Sequence, residues 1–324
     1  MEVALNVVGI DVSKATLAVC YGVQTRLQHA EVSHSKAGLE QLVRRCGTEC
    51  LSVLEATGSY YLALAYHLVE QGAQGAVVNP LVGRRFLQMP LGKGKSDRKD
   101  AQWLLRYGQQ QTPKPWQPDE AVLVECRQLE QVSEQLIRQK TRTLNSLEAL
   151  PQHPVVSAQA EQHLRQALGR LEEQIQLLET ELVGLLEQHY AREMPLLCSI
   201  PGLGRKTAAM LLLFAKGFTQ VETYRQLPAK AGLCPRAYSS GTRVRGKSRI
   251  TRMGGGLIRS KLFMCSFSAK KANMACKALY ERLVAKGKNG KLALIAVCNK
   301  LLKQACAIVK SGIPYQPNFA RIPA

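Results

Sequence analysis

The 324-residue chain has no apolar run that approaches the roughly 18 residues of a membrane-spanning helix. Its start, Met1-Glu2-Val3, lacks the basic-then-apolar plan of a secretory signal. Both absences argue against a membrane protein and predict a cytoplasmic one. Ten cysteines are present, but none forms a Cys-x-x-Cys pair and none stands beside a histidine at zinc spacing. They read as reduced residues of apolar faces, not as a metal site or a disulfide framework. No tandem repeat or low-complexity tract occurs. Aromatic residues make up only 6%, yet the 46% of hydrophobic residues supplies packed cores and excludes a disordered chain. The length suits two or three domains, because single cores stop growing at about 250–300 residues.

Acidic residues are scarce in one region only. Through Ala191 the chain carries 19 basic and 21 acidic residues, whereas from Arg192 to Ala324 it carries 25 basic and 3 acidic. The whole excess behind the net charge of +20 therefore sits in the C-terminal two-fifths. A solvated basic face is the ordinary reading of such a run, but +22 over 133 residues repels itself unless a polyanion is near. Nucleic acid is the favoured partner, since each Lys or Arg placed on a phosphate releases a counterion. An anionic membrane surface is the weaker alternative.

Residues 3–12, 16–23 and 27–32 are short apolar runs between turn signals and predict three hairpin-connected strands. Ser35 is placed as the N-cap of a helix with Leu39, Leu42 and Val43 on one face. Residues 51–55 read as a fourth strand, 59–71 as a second helix and 76–79 as a fifth strand, in the order β-β-β-α-β-α-β. Residues 81–99 set Arg84, Arg85, Lys93, Lys95, Arg98 and Lys99 among three glycines and read as a flexible basic loop. Ser96 caps a helix expected over 97–107, and 112–118 is a proline-rich linker. Two long helices follow, at about 119–150 and 157–189. In the second, Leu164, Leu168, Leu171, Ile175, Leu178, Leu182 and Leu185 alternate four and three apart. Such a heptad seam fits an antiparallel hairpin within the chain or a contact with a second copy. The predicted organisation is an α/β unit at 1–112, a helical coiled-coil region at 119–190 and a mainly α, basic unit at 195–315.

Gly9-Ile10-Asp11 puts an acid in an otherwise apolar strand, where an unpaired carboxylate is costly to bury. It is a strand-end surface residue or a deliberately placed acid. Glu55 ends the fourth strand ahead of Ala56-Thr57-Gly58, and Asp97 and Asp100 share one face at a helix start, where acids also suit the helix dipole. If the first and fourth strands lie side by side, as in a ribonuclease-H-like sheet, and the helix start packs against them, the four acids meet at one point. Four carboxylates cannot share a site without cations, and hard oxygen ligands select Mg2+ or Mn2+. Two such ions would clamp the attacking and leaving oxygens of a phosphodiester. Arg84, Arg85, Lys93 and Lys95 would lie at the rim, where a phosphate backbone approaches.

Ile200-Pro201-Gly202-Leu203-Gly204-Arg205-Lys206-Thr207 has the form of a helix-hairpin-helix turn, whose amides hold a DNA phosphate without reading sequence, with Arg205 and Lys206 as added contacts. An ordinary glycine turn between core helices has the same letters. A Ser239-Ser240-Gly241 turn stands among Arg236, Arg243, Arg245 and Lys247. It is a phosphate-binding loop, or a place where a serine acts as nucleophile, since guanidinium groups favour both a lowered hydroxyl pKa and a pentavalent phosphoryl transition state.

Gly9-Ile10-Asp11-Val12-Ser13-Lys14, Glu55-Ala56-Thr57-Gly58, Lys95-Ser96-Asp97-Arg98-Lys99-Asp100-Ala101, Ile200-Pro201-Gly202-Leu203-Gly204, and Ser240-Gly241 with Val244-Arg245-Gly246 occur in one order. In these motifs the chain closely resembles the DEDD transposases of insertion sequences, the group that includes the Piv-type DNA invertases and the bridge-RNA-guided serine recombinases. The resemblance covers nearly the whole chain. It implies a RuvC-like (RNase H-like) N-terminal domain, a coiled-coil middle and a C-terminal transposase domain with a catalytic serine. By motif match, Asp11, Glu55, Asp97 and Asp100 are the metal-binding catalytic set, and Ser240, the serine directly before a glycine, is preferred to Ser239 as the nucleophile that forms a phosphoserine link to DNA. Donor and target DNA, a non-coding guide RNA, a homodimer that pairs into a tetramer, and a nucleoid-associated place in a bacterial cytoplasm are further implications. The alternatives are a RuvC-like structure-specific endonuclease, a DNA invertase without an RNA guide, and a non-catalytic nucleic-acid-binding protein. The strand motif Asp-x-Ser-Lys is also similar to the phosphate loop of sugar kinases, but the basic C-terminal region does not suit a small-molecule kinase.

Overall fold

A computed structural model describes residues 7–23, 26–87, 96–240, 244–251 and 253–317. They fall into two compact units, Met1–Asp119 and Glu120–Ala324.

In the first unit, β1 (Val7–Val12), β2 (Thr16–Val23), β3 (Arg26–Ser33), β4 (Leu51–Glu55) and β5 (Gln74–Val78) form one sheet in the order β3-β2-β1-β4-β5. The first three strands are mutually antiparallel, while β1–β4 and β4–β5 are parallel. Helices α1 (Lys36–Cys46) and α2 (Tyr61–Glu70) serve the parallel crossovers, and α4 (Asp97–Gln111) covers the opposite face. Because successive strand residues point to opposite faces, Val8, Ile10 and Val12 enter a core with Leu39, Leu42, Leu64 and Leu68. Val7, Leu51 and Val53 enter a second core with Ala101, Leu104 and Leu105. Burial on both sides explains why β1 and β4 read as continuous apolar runs without alternation. Each fully buried Leu or Ile contributes roughly 1.5–3 kcal/mol. Ser35 and Ser96 cap α1 and α4, accepting from the amides of Gly38 (3.3 Å) and Lys99 (3.4 Å).

The expected loop over 81–99 is helical in its first part, α3 (Pro80–Leu87). Pro80 suits a first helical position, and Asn79 Oδ1 accepts from the Leu81 amide at 2.9 Å. Gly83 lowers helix propensity and made the stretch look like a loop. Packing decides otherwise: a Cβ there would lie 2.6 Å from the Trp103 ring. Lys93 and Lys95 lie outside the described residues, and so do the side chains of Arg84 and Arg85 on α3. The proline-rich stretch beyond α4 is anchored at Trp116, whose amide donates to Gly75 O at 2.6 Å and whose ring meets Tyr66 edge-on at 5.2 Å.

In the second unit, α5 (Ala121–Ala149) packs on α6 (Ala158–His189), with Lys140 and Glu172 paired at 2.8 Å between them. Leu182 of the heptad seam is buried and the other six seam positions are half-buried. The base of this helix pair shares one core with α7 (Glu193–Cys198), α8 (Arg205–Ala215), α9 (Gln226–Lys230), α10 (Gly256–Ala272), α11 (Met274–Ala285) and α12 (Gly290–Ser311). A two-stranded hairpin, β6 (Pro235–Ser240) and β7 (Val244–Ile250), projects from that core. Although Asn299, Lys300, Lys303 and Gln304 interrupt its apolar residues, α12 is long and apolar enough to cross a membrane by length and composition alone. Its Val297, Cys298, Leu301, Leu302 and Ala305 are buried in the core, which accounts for that composition. All ten cysteines are free thiols, six of them buried.

Candidate active site

The meeting of α4 with β1 is set by Gly9, where a Cβ would run into the backbone of Ala101 and Leu105. Further along α4, a Cβ on Gly108 would lie 2.6 Å from Val7 and 2.7 Å from Val53. The helix therefore runs antiparallel to β1, its later residues over the strand starts and its first turn toward the strand ends. Asp11 lies two residues beyond Gly9, and Glu55 two beyond Val53; Gly9 and Val53 are themselves register partners. Strand alternation puts both carboxylates on the α4 face, at the ends of neighbouring parallel strands about 4.8 Å apart. On the helix, Asp97 is four residues before Ala101 and Asp100 four before Leu104, so both continue the sheet-facing stripe. The fold thus brings all four acids to one end of one sheet face. Asp11, Glu55 and Asp100 are half-buried and Asp97 is exposed.

Neighbouring residues orient this corner. Thr57 Oγ1 donates to Glu55 Oε1 at 2.8 Å, and a Cβ on Gly83 would stand 3.3 Å from Oε2, so Glu55 is held from one side and the glycine leaves it room on the other. Thr57 stands two residues after Glu55, a spacing that is the one sign of this partnership in the sequence. The turn after β1 is closed by Ser13, whose amide (3.0 Å) and hydroxyl (2.8 Å) both donate to Thr16 O. The donor set is carboxylate oxygen throughout, which fits a hard divalent cation in kind. Among the described residues, no group of three or more His, Cys, Asp or Glu side chains is arranged to hold an ion in this conformation. The acids are gathered at one corner without being closed around one point.

In the second unit Ser239 and Ser240 are the last residues of β6, not members of a turn, and their register partners are Arg245 and Val244. A register shift separates the pairs Arg236–Arg249 and Tyr238–Gly246, a bulge of the kind that bends a strand and re-aims its end. Gly241 and Arg243 lie outside the described residues, as do the side chains of Ser239, Ser240, Arg245 and Lys247; Arg236 is exposed at the start of β6. Arg205 and Lys206 open α8, but both have acidic partners. Arg205 donates from Nε and Nη2 to the two carboxylate oxygens of Glu187, at 2.8 and 2.7 Å. Lys206 pairs with Glu179, also on α6. The turn before them serves packing as well, since a Cβ on Gly202 (φ +94°) would lie 2.6 Å from Ala269 of α10.

Residues 8–152 match the family pattern of the IS110-type DEDD transposases, described as a transposase, and residues 194–281 match that of the transposase IS116/IS110/IS902 family. The first span contains the four acids and the second contains the β6–β7 hairpin. The chain is 28% identical over 322 residues to the pilin gene-inverting proteins of Moraxella lacunata and Moraxella bovis, which covers 95% of this chain and 97% of each relative. It is 32% identical over 161 residues, 50% of this chain and 38% of the relative, to an insertion element IS110 uncharacterized 43.6 kDa protein of Streptomyces coelicolor. The protein is therefore an enzyme of the transposase and DNA invertase class. Both of its family matches, over residues 8–152 and 194–281, are to IS110-type transposases.

Proposed function

We propose that the protein is a DNA recombinase of an insertion sequence, with Mg2+ or Mn2+ held by Asp11, Glu55, Asp97 and Asp100 and with Ser240 as the nucleophile. The observation that carries this reading is the gathering of the four acids where β1 and β4 end beneath the start of α4. The strand order β3-β2-β1-β4-β5 supports a RuvC-like, ribonuclease-H-like domain. When bound, a divalent cation supplies Lewis-acid stabilisation of the scissile phosphate. The chain's residues do the rest. Asp11 and Glu55 stand on fixed strand ends, Thr57 orients Glu55, and Asp97 and Asp100 approach from the helix.

Ser240 Oγ attacks the scissile phosphorus, passing its proton to a base of the assembled site, and the bond to the leaving deoxyribose oxygen breaks. The phosphoserine link keeps the bond energy until the hydroxyl of another strand end attacks the same phosphorus and releases the serine. Arg236, Arg243, Arg245 and Lys247 neutralise charge near the serine, and Arg84, Arg85, Lys93 and Lys95 hold backbone phosphates. Arg205 and Lys206 join them by exchanging Glu187 and Glu179 for phosphates in a helix-hairpin-helix contact. Donor and target DNA are the substrates, a non-coding RNA of the element is the guide, and the enzyme acts on the nucleoid in a bacterial cytoplasm. Val132, Leu144 and Leu177 are exposed on the α5–α6 pair, apolar surface that suits a coiled-coil homodimer able to pair into a tetramer.

A second reading, a DNA invertase without an RNA guide, is favoured by the match to pilin gene-inverting proteins over nearly their full length. A recombination assay with and without the element's RNA separates the two, because strand exchange by the RNA-free protein selects the invertase. In the same assay Ser240→Ala abolishes the covalent protein–DNA adduct and strand exchange, and Asp11→Ala removes metal-dependent activity while DNA retention persists. Full recombination by Ser240→Ala would sink the serine mechanism; cleavage that survives in it would select a structure-specific endonuclease. No effect of either substitution would leave a non-catalytic nucleic-acid-binding protein.

A further inference from the structure

The β6–β7 hairpin leaves the core through two roots, residues 230–234 before it and residues 251 and 253–255 after it. At its base Thr251 N donates to Cys234 O at 3.0 Å. Below that bond the roots touch backbone to backbone at glycines with left-handed φ. A Cβ on Gly232 (φ +66°) would lie 2.7 Å from Met253 O, one on Gly254 (φ +72°) 2.8 Å from Lys230 O, and one on Gly255 (φ +42°) 2.7 Å from Ala231 Cα. Arg259, in the first turn of α10, spans this seam. Its Nη1 donates to Ala231 O at 2.8 Å in the incoming root and to Gly254 O at 3.1 Å in the outgoing one. A Cβ on Gly232 would also lie 2.7 Å from that Nη1, so the glycine makes room for the guanidinium. The incoming root is tied to the core by buried Leu233, whose carbonyl accepts from Asn299 Nδ2 of α12 at 3.4 Å, and Ile250 packs on the same core.

We propose that Arg259 is the positioning residue of the candidate nucleophile: by clamping both roots of the hairpin it sets where Ser239 and Ser240 stand. It acts through the backbone carbonyls of the two roots. A six-residue strand rises ~20 Å, so a rock of about 5° at the roots moves the tip by more than ~1 Å. A misplacement of that size costs up to ~100-fold in rate. The bulge in the hairpin gives the tip its direction, and the clamp gives it its place. A guanidinium suits the task because it is always charged and presents its donors in a rigid plane. The inference rests on Ser240 being the nucleophile.

The test uses the full chain with the element's RNA, duplex DNA substrate and Mg2+, in the parent and in Arg259→Met, Arg259→Lys and Ser240→Ala. In Arg259→Met, amide hydrogen exchange in β6 and β7 rises at least ~10-fold while α8 and α12 stay protected. The rate of covalent adduct formation falls roughly 10- to 100-fold, and DNA retention stays at the parent level. Arg259→Lys, which keeps the charge with a single donor group, falls between parent and Met. Should Arg259→Met lose protection in α8 and α12 as well, Arg259→Lys carries the test, and its hairpin exchange must rise alone. Unchanged hairpin exchange overturns the clamp. A loosened hairpin with the parent adduct rate, while Ser240→Ala forms no adduct, overturns the positioning role. Full adduct formation by Ser240→Ala overturns the serine reading and with it the purpose of the clamp, while the exchange data still decide whether Arg259 locks the hairpin.

Discussion

Gly9 of β1 lies against the Ala101 carbonyl of α4 so closely that no side chain fits between them. That contact holds the first turn of α4, with Asp97 and Asp100, over the strand ends that carry Asp11 and Glu55. Gly9→Ala must push the helix away and costs roughly 1–3 kcal/mol, as overpacked cores do. Thermal melting measures that loss. Metal-dependent cleavage should fall further than the melting shift explains, and cleavage at the parent level at a temperature where the variant is folded would refute the link between this contact and the acids.

Thr57→Val keeps the shape beside Glu55 and removes the hydrogen bond to Oε1. The loss of one hydrogen bond to a charged group is worth about 1.5–3 kcal/mol. The expected outcome is a higher Mg2+ concentration for half-maximal cleavage and an unchanged affinity for DNA, read from a metal titration and a binding isotherm on the same preparation.

Glu187→Gln frees Arg205 for a phosphate. DNA affinity should rise, and the slope of log affinity against log salt should steepen by about one unit. Arg205→Ala in the Glu187→Gln background should cancel both changes. If affinity drops in Glu187→Gln, the ion pair holds the turn in its binding shape and does not compete with DNA.

Burial pushes the thiols of Cys50 and Cys298 up to about 12, and those of Cys126 and Cys276 up to about 11. In the unfolded chain these thiols ionise near their ordinary 9.0. Above that pH the unfolded state holds fewer protons than the folded one, so stability falls as pH rises from about 9 toward 12. Denaturant unfolding at pH 8 and pH 10 should show lower stability at the higher pH. Substituting serine or alanine at Cys298 should reduce that difference. At pH 8 these four thiols should resist alkylation until the chain unfolds.

Much of the first unit was legible because its elements are short apolar runs bounded by turn residues: 16–23 and 51–55 match their strands residue for residue, and Ser35 and Ser96 cap the expected helices. Helix α3 was not, because Gly83 argues locally against a helix and the Trp103 ring that requires a glycine there is twenty positions away. The four acids stood out as charges at strand ends and a helix start. Their shared face depends on Gly9, whose close approach to α4 no local pattern reveals. Arg205 and Lys206 looked available for DNA because their acidic partners lie 18 and 27 residues earlier, on another helix. The seam at Gly232, Gly254 and Gly255 read only as glycine interruption, since the sign of φ is invisible in a one-dimensional string.

The position of α12 in the chain has a consequence for how the protein is made. Its buried Val297, Leu301 and Leu302 fill the centre of the second core, yet it is synthesised after α7, α8, α10 and α11, with which it shares that core. Those helices wait on the ribosome with apolar faces uncovered until α12 emerges, a state in which nascent chains are prone to aggregate. Completion of the second unit is thus postponed until α12 is made, whereas the sheet with its four acids can close much earlier. A chain stopped before Gly290 would keep the acidic corner and leave the support of the serine hairpin unfinished.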